Sequence, residues 1–405
     1  MRQKALFCVA MLAGLLGGAD AQSTLDYPQW RGRERDGAAS GFIQPKSWPK
    51  ELTRTWRVDV GEGYGTPLLV GDAVYVFTRR DGNEVMTALG ASDGAERWRS
   101  SYPAPYTPSQ PTAAHGAGPK ATPLFHEGKL FTLGISGIVS AFDATTGKRL
   151  WQTPPPSEPP FFSAASSPAG DKGVVIVHPG NYGPLTAFDA TSGAVRWVAG
   201  DGGFFMSPII VTLEGTRQAV SVTQGGVVGV SVADGRVLWT HPGAGGRGGG
   251  TMPVVYEGTI IASASGTGTT AFKPVKRGET WVAETAWENK DVSMYLSNPV
   301  VVGDVLFGLT TRDSGRFFAL DARDGTTLWL GTPREATNTA VAKAGELLFF
   351  LNDDGELIVA KASRRGLEPI VRYTVADSAT WAQPAISGNR ILVKDVSTLS
   401  HWTVD

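Results

Sequence analysis

Eleven residues, 141–151 (AFDATTGKRLW), return with small changes at four other places in the chain. The nearest copies are AFDATSGAVRW at 187–197 and ALDARDGTTLW at 319–329, and looser ones are ALGASDGAERW at 88–98 and GVSVADGRVLW at 229–239. Self-similarity at a spacing of about 40–50 residues is the mark of a solenoid or a propeller, in which each copy covers its neighbour's apolar surface. Within a copy, the residues up to the Asp suit a strand. Asp143 can accept hydrogen bonds from the turn, Gly147 tolerates a positive φ, and residues 148–151 begin the return strand. The repeated unit is a β-hairpin.

A second marker, a Pro or its equivalent at the head of an apolar strand, occurs at Pro67, Pro123, Pro168, Pro208, Pro253, Pro299, Ala340 and Pro384, which makes eight starts. Pro suits the first residue of a strand, where no ladder donor is needed. The strands that follow are apolar nearly throughout, as expected when both sheet faces are covered. Closing strands carry Trp98, Trp151, Trp197, Trp239, Trp287 and Trp329, with Tyr373 in the seventh repeat. The fifth repeat has a degenerate turn at 273–278 that leaves Trp281 or Trp287 as its Trp. The last repeat stops after three strands, and the missing strand with its Trp56 stands at 53–59, so pairing the two chain ends would close a ring and remove exposed edges. The expected fold is all-β: an eight-bladed propeller of four-stranded antiparallel blades over residues 53–405, closed by an N-terminal strand. Seven blades are the alternative if the fifth repeat is not a full sheet.

The 51 Gly and 26 Pro among 405 residues suit many short strands joined by turns. Arg2 and Lys4 precede an apolar run at 5–18 that ends in Ala19-Asp20-Ala21, the pattern of a secretory signal peptide cleaved near Ala21. The sole cysteine, Cys8, lies inside it. A mature chain therefore has no disulfide, thiolate nucleophile or cysteine metal site. Residues 22–52 read as an irregular arm held on the body by Trp30 and Trp48. A formal net charge of −1 and the lack of a basic stripe argue against nucleic acid as a partner. No stretch after residue 22 has the length of a transmembrane helix. The expected home is the periplasm or the exterior, in soluble form, with no oligomeric state implied.

The hairpins resemble the tryptophan-docking repeat of the quinoprotein β-propellers, and the resemblance covers residues 53–405. One branch of that superfamily, the quinoprotein alcohol dehydrogenases, holds pyrroloquinoline quinone (PQQ) and calcium in the propeller channel. The other comprises non-catalytic PQQ-like propellers, including outer-membrane protein assembly factor B, which bind proteins through a rim. The opening 27–32 (YPQWRG) followed by Arg35-Asp36-Gly37 is also similar to the start of secreted PQQ-like repeat proteins. Resemblance to the dehydrogenases implies an adjacent Cys-Cys disulfide above the quinone, a Trp below it, and Glu, Asn and Asp around calcium. The mature chain cannot supply the disulfide.

Residues at the starts of the innermost strands should line the channel. They include Tyr64, Thr66, Lys120, Thr122, Asn298, Asn338, Trp381 and Gln383, and contain no Asp or Glu, whereas calcium wants six to eight oxygens and usually carboxylate charge. Lys120 offers a cation and Trp381 an aromatic wall among hydroxyls and amides, a surface suited to a peptide or a small polar ligand. His115, His178 and His241 read as surface histidines, with a shared metal site as the sharper alternative. The stretch 243–250 (GAGGRGGG) could cradle an anion with help from Arg247, but its plain reading is an interblade loop. The expectation is therefore a non-catalytic binding or assembly scaffold for a protein or small polar ligand, without a resident cofactor. The alternative is a PQQ-dependent dehydrogenase of alcohols or sugars, with PQQ and calcium in the channel.

Overall fold

A computed structural model describes residues 24–203, 205–244 and 250–405. The expected signal peptide and Cys8 lie outside the described residues, as does Arg247. Among the described residues the strands form eight four-stranded antiparallel sheets. Seven are built from consecutive strands, and the eighth pairs Ala385–Ser387, Arg390–Lys394 and Thr398–Thr403 with Thr53–Asp59 on its outer side. The fifth repeat is a full blade, which removes the seven-bladed alternative. Seven of the first strands begin at the residue after the marker Pro, and the seventh blade starts at Thr339, beside Ala340.

The repeated sentence is legible atom by atom in the second blade. Asp143 Oδ1 accepts from the backbone N–H groups of Thr145 (3.1 Å) and Thr146 (2.8 Å), and the Gly147 N–H donates to the Asp143 carbonyl at 2.9 Å. Gly147 has φ of 73°. Its second reason for being Gly lies in the neighbouring blade: a Cβ there would stand 2.4 Å from Cε3 of Trp98. Trp98 Nε1 donates to the Ala144 carbonyl at 3.2 Å, just beyond the Asp. The same lock recurs from Trp56 to Ala91 (3.0 Å), Trp151 to Ala190 (3.2 Å), Trp197 to Val232 (2.9 Å) and Trp287 to Ala322 (3.0 Å). Each indole thus covers the turn of the next blade and ties it by one hydrogen bond. Opposite each Trp except Trp56, which faces His401, stands a small residue, Ala88, Ala141, Ala187, Ala271 or Ala319, or Gly229 in the fourth blade, followed at once by a β-bulge. The small partner leaves room for the ring, and the bulge shifts the strand before the Asp turn.

Where the turn has degenerated, the lock changes. The fifth blade replaces it with a hairpin of ten-residue strands, Gly268–Arg277 and Thr280–Asn289. Trp239, with no Asp turn to reach, donates to Oε1 of Gln218 in its own blade at 2.7 Å, and Trp281 from the long hairpin packs into the same apolar cluster. Trp287, not Trp281, is the docking residue of the fifth blade. Trp329 still donates across to the Ser363 carbonyl at 2.8 Å, and Tyr373 Oη donates to the Pro49 carbonyl at 2.8 Å. Trp151→Phe keeps a ring and loses the donor to Ala190. Denaturant unfolding should show a loss of about 1–2 kcal/mol, and no loss would mean that the lock is ring packing alone.

Residues 24–52 run across one end of the channel. Tyr27 pairs with Leu69, and the Phe125 N–H donates to the Pro28 carbonyl at 2.7 Å. Arg35 donates to the carbonyls of Ser167 (3.1 Å) and Pro168 (2.8 Å), and Arg31 on the far side donates to those of Asn298 (3.3 Å) and Pro299 (2.5 Å). Both guanidiniums are buried, and each takes carbonyls at the head of a first strand. Further on, Ala38 bridges Lys343 and Ser40 bridges Ser387. Trp48 packs with Phe42 and Phe349 against the seventh blade. Trp30 also packs on the body, against a cluster containing Met206 and Met252, but its free face looks into the channel.

Candidate functional site

The segments that lead into the first strands converge on the axis and enclose two stacked chambers. The outer one is a cavity of about 340 Å³, with Tyr64, Lys120, Asn338 and Trp381 contributed by four blades. The inner one, about 130 Å³, has Thr66, Thr122, Asn298 and Gln383 in its wall and Trp30 on the arm side. All eight residues expected at the channel are therefore brought together, in two tiers.

Their chemistry separates them. The Thr66 N–H donates to Thr122 Oγ1 (2.9 Å), the Thr122 N–H to Ser167 Oγ (3.0 Å), and the Ser167 N–H to Ser207 Oγ (2.8 Å). On the other side the Met252 N–H donates to Asn298 Oδ1 (2.7 Å), and Ser297 Oγ donates to Asn338 Oδ1 (2.8 Å) while accepting from the Thr339 N–H (3.0 Å). Gln383 Nε2 donates to the Val341 carbonyl at 3.1 Å. Each short polar side chain ties its blade to a neighbour, so Thr122, Asn298, Asn338 and Gln383 are engaged in holding the ring. Tyr64, Lys120 and Trp381 have no such duty.

Lys120 makes no hydrogen bond or ion pair with the described residues, and burial lowers its ammonium to about 8. His115, carried by the short helix Gln110–His115 in the insertion between the first two blades, meets Trp381 edge-on at 4.6 Å and Tyr64 at 6.3 Å between ring centroids. Burial and the nearby Lys120 hold its imidazole below the usual range. Burial raises the Tyr64 phenol, with Glu62 and Asp395 adding to it. Across the cavity Phe162 and Phe205 meet edge-to-face at 6.4 Å, and Tyr295 and Leu296 complete the wall.

The sequence reading missed Phe162, Phe205 and Tyr295, and it placed His115 on the surface. The available signal was the Phe-Phe doublets at 161–162 and 204–205 and the Tyr-Leu at 295–296, each a few residues ahead of a marker Pro. Of the three histidines read as surface residues, His178 and His241 are buried and His115 is half-buried at the chamber wall. His178 is buried between the Gly183 carbonyl (3.0 Å) and Ser221 Oγ (2.8 Å), and burial lowers it to about 4. His241 stacks on Phe272 at 4.1 Å and meets Thr285 Oγ1 at 3.0 Å. Among the described residues no three His, Cys, Asp or Glu side chains come together in a metal-holding group, so the histidines do not share a site.

A calcium–quinone pair does not fit these chambers. No carboxylate lines either one, and the amide oxygens of Asn298 and Asn338 already accept from the blades. The wall offers one cation and several aromatic faces where a divalent ion would need anionic oxygens.

A family model described as "Outer membrane protein assembly factor BamB" matches residues 81–331. The assembly factor BamB of Shewanella oneidensis is 25% identical over 354 residues, covering 86% of this chain and 77% of that protein. Among solved structures, BamB from Moraxella catarrhalis superposes with a TM-score of 0.63 at 17% identity, covering 87% of this chain and 97% of that one. The quinohemoprotein alcohol dehydrogenase of Comamonas testosteroni gives 0.66 at 15% identity, over 94% of this chain and 81% of that one. These two superpositions speak for the fold, which both branches share. No helix among the described residues is long and apolar enough to cross a membrane. With more than half its length matched by the family model, the chain belongs to the PQQ_2 family, that of outer membrane protein assembly factor BamB.

Proposed function

We propose that this propeller is an exported, non-catalytic assembly factor that docks a protein partner on its rim and works in the periplasm without a resident cofactor. The observation that carries this reading is the use made of the channel's polar side chains. They join blade to blade and leave no carboxylate to act as a general base or to hold a divalent ion. Membership of the BamB family supports the assembly role, since the relatives are named for it. The signal-like pattern at 1–21 supports export.

Three measurements test it. The mature protein, given PQQ and calcium, should develop no quinone-dependent dye reduction with alcohols or sugars as donors, and robust turnover would end the non-catalytic reading. Photo-crosslinkers placed on the rim loops in the producing cell should trap one defined envelope protein. Loss of the gene should lower the protein content of the outer membrane, and an unchanged content would end the assembly role.

A further inference from the structure

The outer chamber has properties that holding the ring together does not require. Lys120 is a cation within a largely apolar wall, and it has no partner among the described residues. A half-buried ammonium with no carboxylate in its chamber is poorly compensated until an anion joins it. The walls on either side are aromatic: His115 wedged between Tyr64 and Trp381, and the Phe162–Phe205 pair across from them. The chamber is blind, because the arm lays Trp30 and the two buried arginines across the far end. Arg31 and Arg35 are used up on backbone carbonyls there, so Lys120 is the cation that a ligand in the outer chamber would meet.

We propose that the outer chamber binds a small monocarboxylate with an aromatic body, its carboxylate on Lys120 and its ring between the aromatic walls. The inference rests on reading the channel as a binding site and is independent of the assembly role. A cavity of about 340 Å³ has room for a single ring with a short acidic side chain. One cation matches one negative charge. The titratable groups that share the chamber with Lys120 are Tyr64, His115 and Tyr295. At neutral pH the Tyr64 phenol, raised by burial, is uncharged and His115, held below its ordinary range, is neutral, so neither competes for the carboxylate.

Calorimetry with 3-phenylpropionate as the probe, and with 3-phenylpropanol as the uncharged control, tests the proposal on the mature protein. The acid should bind at pH 7 and the alcohol about tenfold or more weakly, since the carboxylate–ammonium contact is a charge-assisted hydrogen bond in a poorly solvated site. Lys120→Met should erase that preference, and Lys120→Arg, which keeps the charge, should retain it. Affinity of the parent protein should fall as pH rises from 7 to 9.5, through the point at which Lys120 loses its proton. Melting curves of both variants establish that they are folded. Absence of binding, equal binding of acid and alcohol, or a Lys120→Met variant as tight as the parent would each overturn the proposal. None of these outcomes bears on the trapped partner or on the protein content of the outer membrane, so the two readings fail separately.

Discussion

Gly147→Ala is expected to destabilise the protein by roughly 2–5 kcal/mol, far more than the same change at Gly128. Both glycines have a left-handed backbone, with φ of 73° and 71°. Around Gly128 there is nothing within 4 Å of a new Cβ, so its replacement costs only the backbone strain, about 1–2 kcal/mol. At Gly147 the new carbon would sit 2.4 Å from Trp98 Cε3 and 2.7 Å from Cδ2, and the indole cannot withdraw without breaking its bond to Ala144. Overpacking of this kind adds about 1–3 kcal/mol. Denaturant unfolding of the two variants separates these costs, and equal losses would sink the docking account. A double variant sharpens it: in the Gly147→Ala background, Trp98→Ala should cost less than it does alone, because it also removes the clash. Gly193 against Trp151 and Gly325 against Trp287 repeat the geometry, with Cβ approaches of 2.6 and 2.4 Å.

That glycine illustrates what a sequence reveals and what it withholds. Its positive φ follows from the turn, and the turn follows from Asp143 and the spacing to Trp151, so the hairpin could be read from one repeated sentence, while the eight strand starts gave the blade count and the short last repeat gave the ring closure. The second role of Gly147, as the bed of the previous blade's Trp, needs the neighbour's position, which no single copy encodes. The channel divides the same way. Strand starts are marked by Pro, so Tyr64, Lys120, Asn338 and Trp381 could be placed at the mouth. His115 arrives from an insertion whose length predicts nothing about where its tip lies. Trp30 had a visible anchoring role from composition, yet its place under the inner chamber depends on Arg31 and Arg35 spanning from the sixth blade to the third. Hydrogen bonds between nonadjacent segments decide such positions, and they have no local signature.

Glu84→Gln is expected to remove a large pH dependence that one fully buried carboxyl gives this fold. Glu84 is fully buried in the first blade. Its Oε2 accepts from Tyr102 Oη at 2.6 Å and its Oε1 from the Ile135 N–H of the second blade at 2.5 Å. Burial raises its carboxyl from 4.5 to about 7, more than the hydrogen bonds and Arg79 lower it. The folded state therefore holds a proton that the unfolded chain releases between those two values. Stability from this group is complete below about 4.5 and is lost as pH rises through 7, and the whole span amounts to about 3 kcal/mol. The buried His178 and His401, both lowered to about 4, act in the opposite sense, strengthening the fold as pH rises from 4 to 6.5. The raw stability of the parent protein consequently mixes both signs. The difference between parent and Glu84→Gln isolates the carboxyl, because the histidines are common to both. Measured by denaturant unfolding, that difference should shift in favour of the Gln variant by about 3 kcal/mol between pH 4.5 and 7.5 and stay level above. A difference that does not change with pH would mean that Glu84 is ionised in the folded ring. Tyr102 would then be donating to a carboxylate, and the contact between the first two blades would be a buried charge held by two donors instead of a neutral acid.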